Sequence, residues 1–233
     1  MKEEIYTIPV NDGFRENCEC AFCAMKRKLD EKMMGFILSP SYMEEEVRGE
    51  TNRLGFCPAH TEKICSSKNV LGMALMMQSQ LEFRRAELEK AVTAAGGRNA
   101  KKAAEAFGTL RQELSSCYLC GRIGDTMERY FETFFHLWKK DEEFRRTVLG
   151  SKGFCLEHFL TLFEKASSLP GGRAEEFRAA LWALEKPQLE RVQGDLDWFI
   201  RKFDYRYAEE PWKESKDALP RTVLKVNGQF TER

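Results

Sequence analysis

Between Cys20 and about Leu38, the apolar residues Phe22, Met25, Leu29, Met33, Phe36 and Ile37 recur at intervals of three and four. That is the period of an amphipathic helix. The same period returns along most of the chain. Ser41 and Glu44 are spaced as a capping box for a short second helix that ends near Gly55. Cys57 then stands at a helix N-cap, with Pro58 at the first helical position, where its missing N–H is no loss. A long helix is predicted from about Val70 to Ala95, closed by Gly96 and Gly97, and another from about Asn99 to Ser115. Further helices are predicted over 118–138, 141–149 and 154–167. After these come 173–193, with Pro187 as a kink, and 195–207, the break falling at Gly194. Residues 1–16 read as an extended arm, because Pro9 disfavours a helix there, with Ile5, Ile8 and Val10 free to pack. Residues 208–233, interrupted by Pro211 and Pro220, read as a charged tail. The fold class expected is all-α.

Composition narrows the setting. The 233 residues carry 37 basic and 37 acidic side chains, so no global field draws the chain to nucleic acid or to anionic lipid. The N-terminus lacks a basic segment followed by an apolar run, and VLGMALMM at 70–77 is far too short to span a bilayer. A soluble, cytoplasmic chain is expected, without nucleic-acid or membrane partners. In that compartment its eight cysteines stay reduced, and metal ligation becomes their default role.

Two hexapeptides change the picture further. GFCPAH occupies 55–60 and GFCLEH occupies 153–158, and they hold two of the three histidines in the chain. Upstream of each lies a C-x-x-C pair, Cys20 with Cys23 and Cys117 with Cys120. The C-x-x-C pairs are 97 residues apart and the C-x-x-H pairs 98, which reads as a tandem duplication with one inserted residue. Two ligands three apart at a helix start lie on one face and form a two-pronged claw. Two claws complete a tetrahedron. The order along the chain groups Cys20, Cys23, Cys57 and His60 as one site, and Cys117, Cys120, Cys155 and His158 as the other. Three thiolates and an imidazole suit Zn2+, two per chain, better than an iron–sulfur cluster, which ordinarily takes four cysteines. Metal-free dithiol pairs or plain packing of buried cysteine are the competing readings, and repetition in register argues against both. The 33 and 34 residues inside the two sites exceed the loops of common zinc fingers and leave room for two helices each.

The remaining candidates are read as bystanders. Cys18 and Cys65 map by the repeat onto Ser115 and Phe163, so neither is a ligand. Cys65 then reads as packed in an apolar niche, and Cys18 as packed, exposed, or a spare reactive thiol beside the first site. His136 reads as a core histidine, and Glu157 points away from the ligand face. Tyr205, Arg206, Tyr207 and Trp212 form either a binding surface or the end of a helix whose tail straps back onto the bundle. No Gly-rich phosphate loop, G-x-S-x-G elbow or H-E-x-x-H is present in the sequence, so no enzyme is indicated.

Several stretches resemble a bacterial family of unknown function found in Firmicutes, chiefly Clostridia. They are EEIYTIPVNDGF at the start, the cysteine cluster at 18–23, SPSYMEEEVRGETNRLGFC before His60, and the closing KFDYR and SKDALPRT. The resemblance implies a cytoplasmic bacterial setting and no catalytic residue. The expected organisation is an arm (1–16), a first zinc-binding helical repeat (17–116), a second (117–207) and a tail (208–233), each repeat a bundle pinned by one CCCH-type site. Zinc binding in an adaptor or scaffold with a protein partner is the leading function. A thiol-based redox or metal sensor is the alternative, in which Cys18 makes the first site discharge before the second. A small-molecule binder or enzyme in a groove between repeats stands behind both.

Overall fold

The computed structural model describes residues 4–95 and 100–228, the side chains of Glu4, Ala100 and Ala103 excepted. Among them are eleven α-helices, three short 3-10 turns and no strand, so the chain is all-α. The helices are α1 (Glu4–Arg15), α2 (Ala21–Leu38), α3 (Glu45–Leu54), α4 (Pro58–Cys65), α5 (Val70–Ala95) and α6 (Ala100–Leu114). They continue as α7 (Tyr118–Lys140), α8 (Glu142–Leu149), α9 (Leu156–Lys165), α10 (Arg173–Arg201) and α11 (Ala218–Asn227). Cys57 and Cys155 stand at the N-caps of α4 and α9, with Pro58 opening α4. The closing glycines Gly96 and Gly97, and Asn99, lie outside the described residues.

Four local expectations are corrected. Within the arm expected at 1–16, the described residues are not extended, because α1 runs through Pro9. Pro9 removes one backbone bond, and the burial of Val10 and Phe14, at 0% and 4% exposure, outweighs that loss. The capping box at Ser41 does not form. Ser39 and Pro40 instead start a 3-10 turn, the buried Ser41 hydroxyl donates to the Phe36 carbonyl, and α3 begins behind Glu44. Gly194 does not end a helix, since α10 continues through both Pro187 and Gly194 to Arg201. A glycine inside a helix costs only about 1 kcal/mol relative to alanine, which a 29-residue helix absorbs. Within 208–233, a helix, α11, packs on α9 and α10 and buries Ala218 and Lys225.

The chain forms two compact units that do not follow the expected boundaries at 116 and 207. One comprises the described residues of 1–27 and 128–233, the other residues 28–127, so the divisions fall inside α2 and α7. The core of the first unit is aromatic. Phe22 and Phe131 meet at a tilt with centroids 4.5 Å apart, Phe14 meets Phe144 edge-on at 5.4 Å, and Trp138 meets Phe177 at 5.0 Å. Such pairs contribute about 0.5–1.5 kcal/mol each beyond the area they bury. The core of the second unit is aliphatic and sulfur-rich, built from Ile37, Val47, Ile64, Met73, Met76, Tyr118 and Leu119.

Candidate metal centres

Each unit gathers one set of three cysteines and one histidine. In the first unit Cys20, Cys23, Cys155 and His158 converge, all buried, and in the second Cys57, His60, Cys117 and Cys120. The eight residues are those singled out from sequence, but their pairing is corrected. The sites are not Cys20/Cys23/Cys57/His60 and Cys117/Cys120/Cys155/His158. Each C-x-x-C claw meets the C-x-x-H claw of the other copy. Spacing within a claw is fixed by the helix turn, whereas nothing in the spacing between claws says which two share a unit. Because α2 and α7 each divide at a unit boundary, the claw at the start of each helix belongs with a different unit from the end of that helix.

In the first centre His158 Nδ1 lies 3.4 Å from both Cys20 Sγ and Cys23 Sγ and 3.1 Å from Cys155 Sγ, with Cys23 and Cys155 Sγ 3.5 Å apart. In the second, His60 Nδ1 lies 3.2, 3.3 and 3.4 Å from Cys57, Cys117 and Cys120 Sγ, and Cys57 and Cys120 Sγ are 3.8 Å apart. A tetrahedral ion with bonds of about 2.3 Å to sulfur and about 2.0 Å to nitrogen spaces its donors about 3.8 Å (S···S) and about 3.5 Å (S···N) apart. Both donor sets fit, needing a slight opening at the histidine nitrogen and, in the first, between Cys23 and Cys155. All four donor atoms of each set lie within 4.8 Å of one another.

The surroundings of the two centres differ. Glu185, fully buried on α10, accepts the Phe154 N–H at 2.7 Å, one residue before Cys155. Lys225 of α11 donates to the carbonyls of Lys152 and Phe154, at 2.5 and 3.0 Å, and pairs with Glu185 at 3.3 Å. Glu19, one residue before Cys20, pairs with Arg191 at 2.6 Å. Gly153 has φ +77°, and a side chain there would collide with the Glu185 carboxylate. His158 lies against Phe22 and Phe131, and Gly228 comes close enough that a Cβ on it would lie 3.8 Å from Cys155 Sγ. The first centre is thus braced and covered. In the second, Asp30 of α2 accepts from His60 Nε2 at 2.7 Å and pairs with Lys63, an arrangement that leaves His60 Nδ1 as the nitrogen available to a metal. The Tyr118 N–H donates to the Gly55 carbonyl at 2.9 Å, joining the two claws. Cys57 is half-buried and Cys120 is exposed.

Burial and the neighbouring thiols and imidazoles shift the cysteines of each centre. Burial pushes Cys20 up to about 12, while hydrogen bonds from Cys20 and Cys23 pull Cys155 far below the ordinary thiol range. In the second centre burial likewise pushes Cys120 up to about 12. Burial also raises Cys117, but the hydrogen bond to His60 outweighs it and brings this thiol down to about 6. The same contact raises His60 to about 9. Thiolate, not thiol, is the metal ligand, so an ion entering either centre would displace the protons these groups hold.

A family of unknown function, DUF6062, matches residues 1–233. The chain belongs to that family. No curated protein and no solved structure matches it. The family description assigns no chemistry, so the two donor sets are the chemical evidence for this DUF6062 chain.

Among the described residues no helix is long and apolar enough to cross a membrane. Cys18 is half-buried and outside both donor sets; Cys65 is exposed rather than packed in an apolar niche, on the last turn of the short α4. His136 is half-buried on α7, at the rim of a cleft of about 410 Å³ with Glu128, Glu132, Lys139 and Lys165. Glu157 is exposed. The segment after α10 is tied down by Lys202, which donates to the carbonyls of Tyr207, Ala208 and Glu210, while Tyr205 stays 88% exposed. Sequence reasoning missed Asp30, Glu185 and Lys225. Asp30 has Met127 at its repeat-equivalent position, and Lys225 lies in the segment read as a tail, so neither carried a repeated signal.

Proposed function

We propose that this DUF6062 chain is a zinc protein whose two Cys3His sites hold the folded units together, serving as a cytoplasmic bacterial adaptor or scaffold for a protein partner. The observation that carries the reading is the convergence, inside each unit, of two helix-start claws at tetrahedral spacing. In each unit the claws come from distant parts of the chain, Cys23 and Cys155 or His60 and Cys117, and a bound ion would cross-link them. Zn2+ supplies this without redox chemistry, and a structural zinc can contribute about 10 kcal/mol or more of folding free energy. Such an ion matters most for α4 and α9, of eight and ten residues, which are too short to hold by propensity alone.

Elemental analysis of protein purified without added metal should find two zinc ions per chain, and Cys155→Ser should reduce this to one. In that variant Cys20 and Cys23 should become open to alkylation while Cys117 and Cys120 stay protected. Metal-free protein, or a brown iron-containing preparation, refutes zinc. Exposure of Cys117 and Cys120 instead refutes the pairing.

A further inference from the structure

The two centres share a donor set but differ in who can reach it. In the first, Cys20, Cys23, Cys155 and His158 are 1%, 4%, 0% and 4% exposed. In the second, Cys117 and His60 are buried, at 8% and 6%, but Cys57 is half-buried and Cys120 exposed. Thiolates coordinated inside a closed site meet oxidants slowly, whereas an accessible one with a second sulfur beside it can be oxidised and resolved. Cys57 Sγ lies 3.8 Å from Cys120 Sγ, and these are the two accessible thiols of the centre. A disulfide needs about 2.05 Å between the sulfurs, a closure of less than 2 Å that side-chain rotation can supply.

We propose that Cys57 and Cys120 are the oxidative modification site of the protein, converted by hydroperoxides to a disulfide that discharges the second centre and spares the first. This rests on reading the second centre as a metal site. The step balances. As a metal ligand Cys120 is held as its thiolate; being exposed, it attacks the terminal peroxide oxygen, the O–O bond breaks, and the other oxygen leaves as hydroxide or alkoxide and is protonated to water or alcohol. The Cys120 sulfenic acid is then attacked by the Cys57 thiolate. The S–S bond forms, the S–O bond breaks, and the second oxygen leaves as hydroxide, also protonated to water. Two sulfurs give up two electrons and the peroxide takes them. Cys57 and Cys120 belong to different claws, so their disulfide removes a thiolate from each at once and leaves only Cys117 and His60 as donors. A disulfide within the C-x-x-C pair would require the buried Cys117 and would leave Cys57 in place.

Cys18 does not make the first centre the sensitive one. It lies outside the donor set, and the sulfurs it would have to reach are sealed by α10, α11 and the aromatic core. The proposed order of discharge is thus the reverse of the one expected from sequence.

The test uses the whole 233-residue chain after elemental analysis has established its zinc content. Metal-free protein at that stage overturns the metal reading itself, independently of the order in which the centres discharge. Hydrogen peroxide is added in small increments, released zinc is followed with a chromogenic chelator, and samples are alkylated, digested with trypsin and analysed by mass spectrometry. Half of the bound zinc should leave before the other half begins to. A disulfide should join the peptides spanning residues 54–63 and 112–122, with fragmentation placing it on Cys57 and Cys120. Dithiothreitol with added zinc should restore both signals, and Cys18→Ser should behave as the unaltered protein. Parallel release from both centres, first modification at Cys20, Cys23 or Cys155, or dependence on Cys18 would overturn the proposal.

Discussion

Lys225→Met removes the ammonium that braces the first centre. The side chain is 1% exposed, and its Nζ serves two carbonyls, Lys152 and Phe154, and the carboxylate of Glu185, itself 0% exposed. Methionine nearly preserves volume and packing, so the loss is electrostatic. Removing one partner of a buried ion pair leaves the other uncompensated and costs about 3–5 kcal/mol. For a chain of this size that corresponds to about 6–20 °C in Tm, at about 2–4 °C per kcal/mol. The cost should vary with pH in a definite direction. Burial raises the pKa of Glu185, and Lys225 and the Phe154 N–H only partly oppose this. A carboxyl whose folded pKa lies above its unfolded one is least harmful below the unfolded value, and stability is lost as pH rises through the folded value. Without Lys225 the folded pKa rises further, so the deficit of the variant should widen from pH 6 to pH 8. Denaturant unfolding at the two pH values, with zinc retention against a chelator measured in parallel, provides the readouts. The double variant Lys225→Met with Glu185→Gln should recover much of the loss, because the amide oxygen can still accept from Phe154 and the amide nitrogen can serve a carbonyl. A loss below about 1 kcal/mol, the scale of an exposed pair, or a deficit that shrinks as pH rises, would refute the description of this contact as a buried brace.

Asp30→Ala should weaken zinc binding at the second centre by about 10–100-fold, the usual effect of removing a carboxylate that orients a ligating histidine, and leave the first unchanged; chelator competition reads both. Equal weakening at both centres would show that Asp30 acts on the fold rather than on His60. Gly194→Ala should raise Tm by about 2–4 °C, because a Cβ there meets nothing within 4 Å and alanine favours a helix by about 1 kcal/mol. Destabilisation would mean that α10 breaks at this residue after all.

Helix identity was legible because it depends on short-range periodicity. The run from Phe22 to Ile37 and the Cys-Pro start at 57–58 each carry their own signal, and α2 and α4 lie there. The failures share a cause. The local rules that apply at Pro9, Ser41 and Gly194 are each overridden by contacts or helix length that no local window contains: Phe14 in an aromatic core, Ser41 buried against the Phe36 carbonyl, and α10 continuing through Gly194. Lys225 was illegible for a related reason, since a lysine among charged neighbours carries no mark of being buried.

The ligand pairing is the most instructive of these differences. A repeat offset reports that two segments are alike; it cannot report which of them meet. With two C-x-x-C and two C-x-x-H claws, two complete pairings exist, sequential and nested, and both satisfy every residue type and spacing. What decides between them is where α2 and α7 divide. Cys20 and Cys23 fall before the division at 27, and Cys117 and Cys120 before the division at 127, so each C-x-x-C claw stays with the unit its helix is leaving. Once Cys20 and Cys23 take Cys155 and His158, the only claws left for Cys117 and Cys120 are Cys57 and His60. The nested pairing closes with no orphaned thiolate, and no single substitution converts it to the sequential one. It also gives the two centres different surroundings, because only the first lies in the unit that contains α10 and α11. The sequence motifs are therefore near copies, while the chemical environments they enter are not.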